Sequence, residues 1–78
     1  MAPTVVRDGE FTFVVHPREP PYEPRHVHVE FGDEEVRINL DDGSFLEDPP
    51  AGKRRALLRA FQRHTWEIRA CWTRFRPR

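Results

Sequence analysis

Between Arg25 and Leu40 the sequence alternates polar and apolar residues in two runs separated only by Gly32-Asp33, and this stretch constrains the fold more than any other. Alternation with a period of two marks a half-buried strand, because successive side chains point to opposite faces of a sheet. In the first run Val27, Val29 and Phe31 share one face, and His26, His28 and Glu30 share the other. In the second run Val36, Ile38 and Leu40 point inward. Glycine supplies the positive φ that opens a type II′ turn, so Gly32-Asp33 predicts a two-residue hairpin loop. That loop sets the register: Phe31 opposes Glu34, Glu30 opposes Glu35, Val29 opposes Val36, His28 opposes Arg37, Val27 opposes Ile38 and His26 opposes Asn39. Like side chains then meet across the strands, which supports the pairing. The discordant pair is Glu30/Glu35, where two carboxylates face each other; it calls for a cation or a different loop.

Upstream, Asp8-Gly9 suits a type I′ turn that would pair Val6 with Phe11. Phe11, Phe13 and Val15 then face the core, and Thr12, Val14 and His16 face away. Pro17 to Pro24 holds four prolines and reads as a loop, since proline cannot donate to a strand ladder. Downstream, Asp41-Asp42-Gly43 ends the second hairpin, and Ser44 to Leu46 forms a short fifth strand or an irregular link. Asp48-Pro49-Pro50 reads as a helix start, with Asp as the cap and Pro in the first turn. One long helix is predicted from Pro50 to Phe75, its apolar stripe made by Leu57, Leu58, Phe61, Thr65, Ile68, Trp72 and Phe75. The expected fold class is α+β: an antiparallel sheet of about four strands with one C-terminal helix across one face. It forms a single domain over residues 1–78, with the hairpins in 1–48 and the helix in 49–76.

The net charge of zero hides a strong division. Residues 1–52 hold four basic and twelve acidic residues, a net −8, whereas residues 53–78 hold nine basic residues and only Glu67 against them, a net +8. A core this small is thin, so self-association that brings the acidic part of one copy to the basic helix of another is an expectation. The lone Cys71 excludes an intramolecular disulfide and fits a reducing compartment. No apolar run is long enough to span a bilayer, so a soluble, cytoplasmic protein without a membrane role is expected.

Chemistry concentrates on the polar face of the first hairpin strand. Residues two apart on a strand lie about 6.6 Å from each other, so His26 and His28 can share a divalent metal, with His16 as a third ligand by parity. No other cofactor is indicated. Without a metal, His28 beside Arg37 and His26 beside Asn39 make an imidazole and guanidinium pair suited to an anion or to phosphodiester hydrolysis. An inert polar face is the competing reading. On the helix, Trp66 falls opposite the apolar stripe among Arg55, Arg59 and Arg63, a grouping that suits a protein interface or stacking on a nucleic acid. The plainer alternative is a surface tryptophan sheltered by arginine stems.

The order of these pieces resembles the bacterial domain of unknown function 4160 family, whose core is a Pro-Pro-His-x-His segment followed by a strand hairpin. His26 and His28 match the histidines, Pro24 the first proline and Trp72 the helix tryptophan, while Arg25 stands in place of the second proline. The acidic residue preceding the histidines is Glu19 or Glu23. The resemblance implies strands followed by a helix and a toxin–antitoxin-like association with another small protein; it implies no defined activity. The leading expectation is therefore an interaction module that binds a partner protein, a second copy or nucleic acid through its basic helix. A small hydrolase or metal-binding enzyme built on His26, His28 and Arg37 is the alternative.

Overall fold

Four strands run in the order in which the chain makes them, each antiparallel to the last: β1 (Thr4–Asp8), β2 (Phe11–Val14), β3 (His26–Phe31) and β4 (Glu34–Asn39). Two helices follow, α1 (Arg54–Arg63) and α2 (Thr65–Phe75). The computed structural model describes residues 4–16 and 24–75. Residues 17–23, with Glu19 and Glu23, lie outside the described residues, as does the Phe75 side chain.

The second hairpin has the register its sequence predicts at all six positions, from His26↔Asn39 to Phe31↔Glu34. Gly32 turns it with φ 57°, and among the described residues only glycines have positive φ. The first hairpin departs from expectation. Asp8 stays in the strand opposite Phe11, and Val6 pairs with Phe13 rather than with Phe11. A type I′ turn would require positive φ at Asp8, whereas a turn over Gly9-Glu10 requires it only at Gly9, where φ is 61°. The slip is by two residues, so the faces are kept: Phe11, Phe13 and Val15 are all buried. An irregularity between Thr4 and Val6 absorbs the extra residue in β1. Val14, expected to face away from the core, is buried as well. After β4, Ser44 to Leu46 forms the irregular link: a single Ile38↔Phe45 bridge flanked by the bonds Asn39 N–H to Ser44 O and Leu46 N–H to Arg37 O.

One sheet face carries Phe11, Phe13, Val27, Val29, Phe31, Val36 and Ile38 into a core closed by Leu57, Ala60, Phe61, Ile68 and Trp72 from the helices. Phe11 and Phe31 meet edge to face at 5.3 Å, the preferred aromatic arrangement. The single long helix expected over 50–75 is instead two. It begins four residues late because Gly52, with φ 87°, is outside helical space, and Lys53 rather than Asp48 precedes the first helical residue. Asp48 lies 3.8 Å from the Arg54 guanidinium. The break falls at His64, whose backbone (φ −123°, ψ 16°) donates to Phe61 O, three residues back. There the fold pins the helices to the first hairpin. His64 Nε2 is 2.9 Å from the Asp8 carboxylate and Nδ1 is 2.8 Å from Glu67, while Arg63 Nε donates to Asp8 at 2.8 Å.

The pin makes stability depend on pH. The Glu67 carboxylate and then Asp8 raise the His64 pKa above its ordinary 6.5, outweighing partial desolvation. The Arg63 guanidinium, helped by His64, lowers that of Asp8 below 3.8. A raised histidine contributes stability that is complete below 6.5 and is lost as pH rises through the folded value; a lowered carboxyl contributes above 3.8 and is lost as pH falls through its folded value. Thermal unfolding followed across pH is therefore expected to show the His64 contribution fading on the alkaline side of 6.5. His64→Gln should flatten that limb, and an unchanged profile would refute the role given to the pin.

Candidate functional site

The face of β3 that carries histidines is not uniformly open. His28 sits between Val14 of β2 and Arg37 of β4 in the ladder, with a mostly buried side chain. Its Nδ1 lies 2.6 Å from Glu35 Oε2. The His16 ring stands nearly perpendicular to the His28 ring, with centroids 4.1 Å apart. His26, read from the sequence as part of an exposed pair, is only 1% exposed. Its Nδ1 donates to the Pro24 carbonyl at 2.7 Å, a tautomer fixed by an acceptor that has no proton to give. The His26 ring packs 4.9 Å from His28 and 5.7 Å from Trp72 of α2.

The Glu30/Glu35 opposition persists in the structure. Glu35 turns its carboxylate to His28, two residues along on the same face, so an imidazole lies where the sequence called for a cation. His16, His28 and Glu35 each bring one ligand atom within 4.8 Å of the others. Arg37 does face His28 across the strands, and it is held by Glu47: Nε donates to Oε2 at 2.8 Å and the Arg37 backbone N–H to Oε1 at 2.9 Å. Partial burial works against ionisation of Glu47, but these Arg37 hydrogen bonds win and keep its pKa below the usual carboxylate value. Asn39 opposes His26, and its Oδ1 accepts from the Asp41 N–H at 2.7 Å, so it holds the turn that follows β4. Glu35 is singled out from sequence as half of the discordant Glu30/Glu35 pair but not as a ligand, and Glu47 and His64 are not singled out at all. Glu35 was legible as the diagonal neighbour of His28 on one face; Glu47 and His64 depend on contacts across the fold.

The helices make a second face. Arg55 and Arg59 are exposed and form no ion pair among the described residues; with Arg54, Leu58 and Gln62 they line an open groove of about 710 Å³ on α1. Arg63 is drawn away to Asp8. Trp66, at 84% exposure, is the one exposed large hydrophobic side chain among the described residues, and it lies on α2, beyond the break at His64. No helix among the described residues is long and apolar enough to cross a membrane.

Comparison with known proteins finds no match among curated proteins and none among solved structures. A family model does match. It covers residues 11–73, from the start of β2 into the last turn of α2, and includes the histidine strand, the Glu47 link and Trp72. On that match the chain belongs to the family described as a domain of unknown function, DUF4160.

Proposed function

We propose that the protein is an interaction module that docks a partner protein through the outer face of its two helices, with Trp66 as the anchor. The observation that carries this reading is the 84% exposure of Trp66 on a domain that leaves no other large apolar side chain exposed among the described residues. An indole in water forgoes about 1.5–3 kcal/mol of burial, and tryptophan with arginine is the composition of binding hot spots. Arg55 and Arg59, exposed and without an ion pair among the described residues, supply the charged rim.

Protein is favoured over nucleic acid for a specific reason. Arg63 is spent on Asp8, and Lys53 on Glu10, so the row of cations a phosphate backbone would track is interrupted. The exposed Glu30, Asp33 and Glu34 at the far hairpin add repulsion. Trp66→Ala is expected to weaken partner binding by about 2 kcal/mol or more, roughly thirtyfold in Kd, while leaving the fold intact. Affinity purification with wild-type and Trp66→Ala protein, followed by titration of the recovered partner, measures this. The nucleic-acid reading predicts a different pattern: Arg55→Gln with Arg59→Gln would weaken RNA or DNA binding broadly and flatten its salt dependence. Equal partner recovery by both proteins would remove the basis for a docking face at Trp66.

A further inference from the structure

The geometry points to a binding site for a first-row divalent cation at His16, His28 and Glu35, separate from the helix face and independent of the docking role. Three features converge there. The ligand atoms of the three side chains already lie within 4.8 Å of one another, against about 3.4 Å between donors around a tetrahedral zinc ion with bonds near 2.1 Å. Closing that gap needs little movement. Glu35 is an exposed side chain whose carboxylate already reaches His28, and His16 lies two residues past the end of β2.

The second feature is charge. Glu30 and Glu35 oppose each other directly in the β3/β4 ladder, an unfavourable arrangement that a bound dication relieves at a single point. The third is the surroundings. His28 is mostly buried, with the closed ring of His26 behind it and Trp72 beyond, so one side of the site is walled off while Glu35 opens the other to solvent. A walled second layer orients ligands and strengthens the metal's field. His28 Nδ1 and Glu35 Oε2 lie 2.6 Å apart, the distance of an imidazole N–H donating to a carboxylate; a cation ligated by both side chains replaces that hydrogen bond. Two imidazoles and one carboxylate select zinc or a neighbouring transition metal over magnesium or calcium, and three protein ligands leave a coordination position open.

The ligand set differs from the one suggested by spacing alone. His26 is adjacent to His28 in the strand repeat, but its Nδ1 is bonded to Pro24 and its ring is buried; the carboxylate of Glu35 takes its place.

Calorimetric titration of the full chain with zinc chloride tests the site. The expected result is one zinc per chain, with Glu35→Gln and His16→Ala each raising Kd by about tenfold or more, since even the loss of an outer-layer partner costs that much. His64→Gln removes a histidine that also contacts two carboxylates and should leave Kd unchanged. Cobalt absorption in the visible region reports imidazole ligation independently and should be lost in the same two variants. Zinc should also raise the melting temperature of the wild type but not of Glu35→Gln. Failure to saturate, or a Kd that Glu35→Gln and His16→Ala leave unmoved, would overturn the assignment, as would an equal loss in His64→Gln.

Discussion

Phe13→Ala is expected to remove about 3–5 kcal/mol of stability, the usual cost of truncating a fully buried aromatic ring. Phe13 has no exposed surface and stands in β2 between Val6 of β1 and Val29 of β3, with its ring 6.4 Å from that of His64. It therefore touches both the sheet interior and the pin that fastens the helices. A chain of 78 residues has roughly 4–12 kcal/mol in total, at 0.05–0.15 kcal/mol per residue, so this one truncation removes a large share. Thr12→Ala, the adjacent strand position on the opposite face, should cost less than about 1 kcal/mol. Urea midpoints for the two variants measure the contrast. A loss below about 1 kcal/mol for Phe13→Ala would show that the core collapses around the cavity and that the sheet does not depend on this ring.

Local patterning explains why the pairing of β3 with β4 is legible in the sequence at all six positions. Alternation assigned their faces, and a glycine turn of two residues assigned their register, with no long-range information needed. The same rule applied to the first hairpin chose the wrong pair of turn residues. Asp-Gly and Gly-Glu both satisfy a two-residue loop, and what distinguishes them here is Asp8, kept in β1 with its carboxylate bonded to Arg63 and His64 from the far end of the chain. Contacts 55 and 56 residues apart leave no trace in a local pattern. The helix break has the same origin. Nothing between Pro50 and Phe75 is a helix breaker except Gly52, near the start, and the interruption at His64 sits at the tertiary pin.

The division of charge, read from the sequence as a basis for association between copies, also has a use within one chain. Lys53–Glu10, Arg54–Asp48 and Arg63–Asp8 each join the basic C-terminal part to the acidic N-terminal part within one chain. Such pairs, at the surface, are screened by solvent and salt and add little to stability. They fix where the helices lie more than how tightly. Arg55 and Arg59 form no such pair among the described residues, which is why the outer helix face, and not the charge of the whole segment, marks the candidate interface.

His26 separates packing from chemistry on the histidine face. From sequence, replacing both strand histidines by alanine is expected to spare folding, because alternation places them on a polar face. The structure reverses that expectation for one of them. His26 is 1% exposed, donates to the Pro24 carbonyl and lies against the Trp72 ring, whereas His16 is half-buried beside the strand end. His26→Ala is expected to cost about 2–4 kcal/mol, the range for emptying a buried site of this size, of which about 1 kcal/mol belongs to the hydrogen bond. His16→Ala should cost less than about 1 kcal/mol. His26→Phe divides the two contributions: it keeps a ring against Trp72 and removes the donor, so its cost should fall between those of the other variants. Chemical denaturation in the presence of a chelator keeps metal binding out of the comparison. If His26→Ala proves as mild as His16→Ala, the ring contributes no packing energy at this end of the sheet, and His26 belongs with His16 and His28 as a residue available for ligand chemistry.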